Sequence, residues 1–537
     1  MKSRIILLFS FIFLVSSCDI DRIPETQLSD DSFWKSENDL KAASNYLYTF
    51  LPTLPILHEI WSDDAFAKVP NNISEGSRLA PSTTADFNRP YQIIRAATNI
   101  IEKSVLAKGA GVAEGVINIY VGEARFFRAW SYFELVQKYG DVPLILHSLK
   151  EDSPELTAAP ASREEVYDAI YQDLELAVNS LPTPTALGDP GYGRISKTAA
   201  LALLSRVALF EGTRAKFHQY GEANKHLIKA VTASKAIIDS KEHSLFGDYF
   251  NLFQYPGEGR QNRENILVRQ YGASVTESVL THNSSRSYEQ GVLNPTKSMV
   301  DAYLAVDGLP IEKSPLYVTP VNSEDVFKNR DKRLSWSIMK RGDPYYGTRP
   351  IFDIALLDRT VSGFCPRKFL NIPDWQTQRS YIDLPIIRYA EVLLNYAESK
   401  YELDGFIADI DLDISVNLLR SRGQIQHLKN DFVKTNNLDM RTEIRRERRV
   451  ELAQEGFRYW DLIRWKTAEI ELPKDVLGNY FFASEFGTAI TPQLNSDNFI
   501  LVQRASVRKF NAQRDYLWPI PINELGLNPN LKQNPGW

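Results

Sequence analysis

Apolar residues recur along most of the chain at the spacing of amphipathic helices. In SKTAALALLSRVALFEG, five of them follow the i, i+3, i+4, i+7, i+8 pattern of a helix that turns one face to a core. These five residues are Ala200, Leu203, Leu204, Val207 and Ala208. The pattern predicts that Leu204 is buried where two helices pack together.

A second segment, LPIIRYAEVLLNYAESKYELDG, carries a comparable apolar stripe. The stripe consists of Ile387, Ala390, Leu394, Ala397 and Tyr401. Pro385 and Gly405 mark the two ends of this predicted helix, because proline and glycine commonly flank helices. Three further segments show the same helical spacing: GEARFFRAWSYFELVQKYGD, SREEVYDAIYQDLELAVNSLP and YGEANKHLIKAVTASKAIIDS.

Several of these predicted helices are separated by short turns, so neighbours should pack in antiparallel pairs. Alanine and other small residues recur on their inner faces, as they do in tetratricopeptide repeats. No clean 34-residue period is present, so any repeats are degenerate. The pattern therefore predicts a mainly α fold built from helix pairs.

Two zones lack helical periodicity. Residues 61–91 and 252–382 are rich in Pro, Gly, Asn and Ser, which is typical of loops. Both zones are also rich in aromatic residues: Trp61, Phe66, Phe87, Tyr271, Tyr288, Trp336 and Trp375. Disordered linkers seldom contain so many aromatic side chains, and long loops in compact domains are often functional. We predict the binding site in these loops.

The first residues, MKSRIILLFSFIFLV, have the features of a secretory signal, with Lys2 and Arg4 in front of an apolar run. That run is shorter than the roughly 20 residues that span a bilayer. It ends in VSSC, which resembles a bacterial lipobox, so we predict that Cys18 is lipidated after residues 1–17 are removed. The alternative is a plain signal peptide followed by a chance cysteine.

Composition narrows the class of protein. The chain has one other cysteine, Cys365, so lipidation of Cys18 leaves no partner for a disulfide. Without Lys2 and Arg4 the net charge moves from −5 to −7, which argues against a nucleic-acid-binding protein. The sequence contains no metal-ligand spacing and no nucleotide-binding or hydrolase motif. We expect no cofactor, no metal ion and no catalytic activity.

The segment RTEIRRERRVELAQEGFRYWDLIRWK, residues 441–466, has eight basic and five acidic residues. Its opposite charges fall at i,i+3 spacing, which predicts a helix whose exposed charges pair with one another. The predicted pairs are Glu443/Arg446, Arg448/Glu451, Glu455/Arg458, Arg458/Asp461 and Asp461/Arg464. We interpret Trp460 and Trp465 as packing residues.

Taken together, these segments resemble the SusD/RagB family of glycan-binding surface lipoproteins. The resemblance rests on GEARFFRAWSYFELVQKYGDVPLI, GRISKTAALALLSRVALFEG, LPIIRYAEVLLNYAES and IRRERRVELAQEGFRYWDLIRW. The final LWPIPINELGLNPNLKQNPGW resembles the family's C-terminal segment, and Asp19 and Asp21 fit its export to the outer surface. The similarity extends over nearly all of the mature chain.

The resemblance implies a mainly α fold in which about four tetratricopeptide-like helix pairs scaffold an irregular, loop-rich C-terminal half with a few short strands. It divides the chain into a signal peptide (1–17), an N-terminal helical region (18–250) and a C-terminal region with the ligand-binding loops (251–537). It also implies attachment to the outer membrane and a SusC-like TonB-dependent transporter, over which the lipoprotein acts as a lid. Phe87 stands where the family often has a tryptophan.

Glycans present apolar faces and rims of hydroxyl groups, which aromatic, acidic, amide and guanidinium side chains can bind. In the first loop zone we predict ligand contacts for Trp61, Asp64, Arg78 and Asn88. In the second zone the candidates are Tyr271, Tyr288, Arg367 and Trp375. Two alternatives stay open: a lipoprotein that binds peptides or glycoprotein glycans, and a surface glycosidase that uses a pair of carboxylates.

Overall fold

The computed structural model describes residues 30, 32–272, 280–346, 349–487 and 489–537. Cys18 and the predicted signal segment lie outside these residues. The described chain is mainly helical with short strands, so the predicted fold class is confirmed. In the ranges just given, no helix is both long and apolar enough to cross a membrane.

The N-terminal half consists of helices of very different lengths. They are α1 Glu37–Tyr48, α2 Ile56–Ile60, α3 Ala85–Gly109, α4 Glu114–Tyr139, α5 Arg163–Ser180, α6 Pro184–Leu187, α7 Lys197–His218 and α8 Ala223–Ser240. Local sequence fixes where several of them begin. The Ser162 side chain accepts a hydrogen bond from the amide of Glu165, whose carboxylate binds the Ser162 amide, so this capping box starts α5.

Successive long helices pack on each other, α3 on α4, α4 on α5 and α7 on α8. Four residues connect α3 to α4 and four connect α7 to α8, so these pairs are antiparallel. Leu204 on α7 is buried, as predicted. Gly212 lets α8 approach α7 closely, because a Cβ at this position would lie 2.8 Å from the Leu227 side chain.

The C-terminal half has shorter helices. They are α9 Ser284–Glu289, α10 Lys297–Ala302, α11 Lys332–Ser337, α12 Ile372–Thr377, α13 Tyr389–Asp404, α14 Asp409–Asp413, α15 Val416–Gly423, α16 Asn430–Thr435, α17 Met440–Glu451, α18 Arg458–Arg464, α19 Ala468–Glu471, α20 Ala483–Phe486 and α21 Ile522–Leu527. Single turns of 3-10 helix occur at Pro154–Thr157, Asp189–Gly191, Asn251–Phe253, Tyr255–Gly257, Asp325–Phe327 and Ala505–Val507.

In the described part of the chain, strands occur as three separate antiparallel pairs. β1 Ala65–Phe66 pairs with β3 Asn294–Pro295, β2 Asn265–Arg269 with β4 Leu384–Arg388, and β5 Val476–Tyr480 with β6 Phe499–Gln503. The first pair joins the two predicted loop zones to each other, and β4 of the second pair runs directly into α13 of the helical scaffold.

The predicted helix from Pro385 to Gly405 is wrong at its start. Ile387 lies in β4, and α13 begins only at Tyr389. Proline at position 385 removes a backbone donor and favours an extended chain before it, which suits an edge strand better than a helix. The remainder of the stripe is correct, since Leu394 is fully buried where α13 packs against α7, α8 and α17.

The charged segment 441–466 differs most from expectation. The helix stops at Glu451 and resumes at Arg458, so Glu455 and Arg458 are not on one helical face. Two predicted pairs form, Glu443–Arg446 at 3.4 Å and Asp461–Arg464 at 2.8 Å. The predicted exposed, self-paired face is otherwise wrong, because most of these charges are buried.

The buried charges pair with residues far away in the sequence. The Glu451 carboxylate binds Arg388 at 2.6 Å and Arg333 at 2.8 Å, and the Glu455 carboxylate binds Lys368 at 2.6 Å. An ionised carboxylate is tolerated in a protein interior only when it is paired and hydrogen-bonded in this way. We call this set the buried ion network; it fixes α17 to the irregular chain around it.

Candidate functional site

The first predicted loop begins directly after α2, and its tryptophan belongs to the core. Trp61 is 6% exposed. Its ring makes edge contacts with Tyr459 at 5.6 Å and Trp518 at 5.2 Å between ring centroids. Residues of the C-terminal half therefore cover the Trp61 side chain, and its indole does not lie at the protein surface.

The acidic pair that follows is also buried. Asp63 binds Arg458 at 2.7 Å, and Asp64 binds Arg449 in a close ion pair. Burial alone would raise the pKa of Asp63, but Arg449 and Arg458 together hold it well below its usual range. These carboxylates therefore tie the first loop to α17 and α18.

Arg78 and Asn88 take no part in these ion pairs. The Arg78 guanidinium is buried over the rings of Trp518 at 4.6 Å and Trp537 at 4.9 Å, a cation–π arrangement. Asn88 is half-buried in the first turn of α3 and donates a hydrogen bond to the Thr83 hydroxyl at 3.1 Å. The first four candidates therefore do not meet on one exposed surface.

In the second loop zone, three of the four candidates make structural contacts. Tyr288 is fully buried on α9, and Tyr271 is buried with its ring edge-on to His282 at 4.7 Å. Arg367 lies over the Phe250 ring at 4.4 Å and binds Asp343 at 3.3 Å. These side chains support the loops without facing solvent as a group.

Of the four aromatic side chains predicted to contact the ligand, Trp375 is the one that is only half-buried. The Asn371 side chain accepts a hydrogen bond from the Asp374 amide and so starts α12, which carries Trp375. The Tyr346 ring stacks on the indole at 4.9 Å with an interplanar angle of 15°, and the Arg286 guanidinium lies 4.9 Å from the same ring. The Glu289 carboxylate accepts the indole N–H at 3.5 Å.

We call this group, together with Tyr255, the Trp375 surface. The Tyr255 hydroxyl donates to Asp374 at 2.8 Å and accepts from the Tyr381 amide at 3.1 Å, so it holds the loop after α12 in place. Burial raises the pKa of Tyr255 to about 12, with a contribution from the bond to Asp374. The phenol therefore remains a hydrogen-bond donor at neutral pH.

Sequence reasoning identified Trp375 but missed its partners Tyr255, Arg286, Glu289 and Tyr346. They come from three separate segments, the 3-10 turn Tyr255–Gly257, α9 and a loop, and only Arg286 and Glu289, three residues apart on α9, are related by spacing. Chemically, the group offers an aromatic edge bordered by a guanidinium, a carboxylate and a phenol, which suits a ligand with hydroxyl groups and an apolar face. Among the described residues, no His, Cys, Asp and Glu side chains form a group that could hold a metal ion.

Two cavities of about 490 and 480 Å³ lie elsewhere in the molecule. The larger lies between α4 and the segments 50–58 and 384–391, and the smaller lies near 184–196 and 240–265. None of the eight predicted ligand-binding residues lines either of these two cavities. A ligand site at the Trp375 surface and a ligand site in either cavity would therefore use different residues.

Comparison with known proteins gives consistent matches. Residues 261–537 match the model of the SusD family, and residues 58–209 match a model described as "Starch-binding associating with outer membrane". A SusD-like protein P2 of Formosa agariphila is 25% identical over 100% of both chains. A SusD-like protein of Bacteroides ovatus is 24% identical, over 90% of this chain and 85% of its own.

Solved structures show the same architecture. A SusD-like carbohydrate binding protein from Bacteroides fragilis is 25% identical with a TM-score of 0.74, covering 93% of this chain and 100% of its own. Surface glycan-binding protein A from Bacteroides fluxus shares the fold with a TM-score of 0.63 at 20% identity, covering 94% of this chain and 100% of its own. Both alignments include the helical scaffold and the loop zones.

Proposed function

Because the chain belongs to the SusD family, we propose that it binds oligosaccharides at the bacterial cell surface and delivers them to a SusC-like TonB-dependent transporter, as its lid. The family match and the names of the relatives support glycan binding. The match to a starch-binding model associated with the outer membrane supports the location. Delivery to a transporter is the mode of action that the family suggests.

The Trp375 surface is the proposed ligand contact, and one observation carries it: Trp375 is a half-buried indole beside unlike polar groups, whereas Trp61 is buried. Tyr346 and Arg286 hold the indole in one orientation, so little conformational entropy is lost when a sugar packs against its free edge. Arg286 is only half-buried, so its guanidinium can then donate hydrogen bonds to hydroxyl groups of the sugar.

Such a site gives modest affinity, on the order of millimolar to micromolar. Weak binding suffices for a lid, because a tethered partner experiences a high effective concentration of the transporter below it. The proposal assigns no chemical step to the protein. Peptides or glycoprotein glycans are the alternative ligands, and the same surface would contact them.

Binding at the Trp375 surface is tested with a Trp375→Ala variant in calorimetry and affinity electrophoresis against starch, laminarin, xylan, mannan and pectin. We expect wild-type protein to bind one of them, and the variant to lose about 1–3 kcal/mol, roughly ten- to hundredfold in affinity. Trp336→Ala is a matched control, because Trp336 is also half-buried and stacks on a tyrosine, Tyr249, at 6.0 Å.

Equal losses in both variants would mean that general loop packing, not the Trp375 surface, supports binding. Normal binding by Trp375→Ala would place the ligand elsewhere on the protein. If no polysaccharide binds the wild type but peptides do, the glycan proposal fails. Release of sugar from any of these polymers, abolished by one carboxylate substitution, would instead establish a glycosidase.

The lipid anchor is a separate part of the proposal. Cys18→Ala should leave the protein folded but shift it from the membrane fraction to the soluble fraction, since acyl chains at this residue are the proposed attachment. The comparison is made in cells without the transporter. A variant that stays tightly bound to membranes there would contradict lipidation at Cys18.

A further inference from the structure

The cavity of about 490 Å³ lies between the two halves of the chain, and no residue of the Trp375 surface lines it. Helix α4 forms one wall, the proline-rich segment 50–58 another, and residues around Trp460 close the base. Thr53, Leu57 and Arg89 line it and are exposed, so its mouth opens at the protein surface. A ligand can enter without unfolding an element.

One face of α4 points polar groups into this cavity. Trp130, Glu134 and Gln137 are spaced by four and three residues, so they project from the same side of the helix. Gln137 is only 8% exposed, yet its amide has no hydrogen-bond partner in the described chain. The Trp130 indole N–H and the Glu134 carboxylate likewise have none among the described residues.

The opposite walls add two more groups of the same kind. His58 and Trp460 line the cavity with their rings 6.1 Å apart, and neither ring makes a hydrogen bond to another described residue. Burial lowers the pKa of His58 to about 4, with a further contribution from nearby Lys138, so the imidazole is neutral at pH 7. It offers one donor and one acceptor.

The polar atoms of these side chains are open to the cavity, where the hydroxyl groups of a ligand can bind them. Here several such groups converge on one space with walls of Phe127, Leu209 and Phe457. Apolar walls with a few convergent polar groups, in a volume of some hundreds of Å³, are the usual properties of a small-molecule site.

The charges around the cavity indicate which ligand fits. Most are already in ion pairs: Lys138 binds Asp86 at 2.7 Å, and Arg206 binds Glu391 at 2.6 Å. Glu134 and the exposed Arg89 have no ion-pair partner among the described residues, and their charges are opposite. Because these two unpaired charges cancel, an ion of either sign gains little electrostatic stabilisation in the cavity. An uncharged polyol with an apolar face, by contrast, matches both the polar and the apolar parts of the lining.

We infer that this cavity is a second binding site, for one or two rings of a neutral sugar. Gln137, His58 and the indole N–H groups of Trp130 and Trp460 bind the hydroxyl groups, and the aromatic walls pack against the C–H faces. The ligand class rests on the proposed function, whereas the existence of the site rests on the cavity and its unpaired polar groups alone.

The test uses the full-length protein and calorimetry with glucose, maltose, cellobiose and lactose as probes, and glycylglycine as a zwitterion. Gln137→Leu removes the amide while keeping a side chain of similar size. Trp130→Phe removes the indole N–H and keeps an aromatic ring. Gln172→Leu is the control, since it makes the same chemical change at an exposed position of α5.

We expect one of the sugars to bind the wild type at one site, with at least tenfold weaker binding in Gln137→Leu and Trp130→Phe and no change in Gln172→Leu. The same two variants should still retain a polysaccharide in affinity electrophoresis, because the Trp375 surface is intact. If Gln137→Leu fails to fold, Trp130→Phe carries the test.

Other outcomes overturn the inference. If none of the four sugars binds, or if the sugar that binds is held equally well by both cavity variants, the cavity is not a sugar site. Preferential binding of glycylglycine would overturn the ligand class, since a zwitterion would then use Arg89 and Glu134. Sugar binding in the cavity without any polysaccharide binding would refute the proposed surface function and leave this inference standing.

Discussion

Two loops of this protein each contain a tryptophan in a setting of acidic and basic residues, yet they differ in role. In the first, Trp61 is enclosed by aromatic rings and its acidic neighbours Asp63 and Asp64 form buried ion pairs. In the second, Trp375 and the Arg286 beside it are only half-buried, although Glu289 is buried. A similar composition thus produces a core in one place and a surface in the other.

The difference depends on residues that are distant in the sequence. Trp518 covers Trp61, and Arg449 neutralises Asp64, so the C-terminal half converts the first loop into interior. Trp375 is contacted mainly by Tyr346 and Arg286, which lie in the same loop zone. Aromatic content alone therefore cannot separate a binding loop from a structural one.

The sharpest test of this contrast is Trp61→Ala, which should lower the free energy of unfolding by about 3–5 kcal/mol, the usual cost of removing a buried large aromatic ring. Urea denaturation followed by circular dichroism measures it. Trp61→Phe should cost less, because it keeps part of the ring packing. The contrast collapses if Trp61→Ala is as stable as wild type but no longer binds polysaccharide.

Two leucines of the helical scaffold provide a comparison for the stability that Trp61→Ala is expected to lose. Leu204→Ala and Leu394→Ala should each cost about 2–5 kcal/mol, because both side chains are buried between packed helices and leave a cavity. If both variants kept the wild-type midpoint of unfolding, the helical faces described above would not be the core. In that case the value for Trp61→Ala could not be read as a core effect.

Acid should weaken the structure that holds the first loop. Burial alone would raise the pKa of Glu451 on α17, but Arg422, Arg388 and Arg333 lower it to about 2, from an ordinary value of 4.5. The stability it supplies is complete above about pH 4.5 and is lost as pH falls towards 2. Linkage gives a loss of about 2 kcal/mol between pH 7 and pH 3 from this group.

The measurement is the free energy of unfolding across that pH range. Glu451→Gln removes the titrating carboxylate, so its stability should depend less steeply on pH below 4.5, in addition to being lower at pH 7. An unchanged slope in the variant would mean that Glu451 is not the ionised centre of the buried ion network.

The smallest effect on folding is expected at the second loop. Trp375→Ala should cost only about 0.5–1.5 kcal/mol of stability, the range of an aromatic pair, since its main packing partner is Tyr346. Thermal denaturation compares it with Trp61→Ala. A loss as large as that of Trp61→Ala would show that Trp375 also belongs to the core, and would remove the reason for assigning it a ligand.

Helical periodicity in the sequence was sufficient to predict the scaffold. The stripe around Leu204 and the helix that carries Leu394 depend on neighbours three and four residues apart, and the sequence displays that spacing directly. The start of α13 could not be placed in this way, because Ile387 fits a helical stripe and a β-strand equally well. The pairing of β4 with β2 decides between them, and that pairing is a long-range contact.

The charges and the site were harder to predict for the same reason. Local spacing suggested that Glu455 pairs with Arg458, whereas the break after α17 sends them to Lys368 and Asp63. Trp375 was predicted from its loop, but its partners were not. No sequence pattern indicates the role of the polar groups of α4, because the lack of a hydrogen-bond partner for Gln137 can be recognised only when the residues around it in the fold are known.

The position of Trp518 affects the order in which parts of the polypeptide can fold. The ring that covers Trp61 belongs to the last twenty residues, together with Trp537, which lies against Arg78. Helices α3 to α8 depend on local contacts, but the loop around Trp61 stays uncovered until Trp518 reaches it from the C-terminal half. Contacts between residues so distant in sequence form slowly, and loss of Trp518 would therefore disturb the loop around Trp61, far away along the chain.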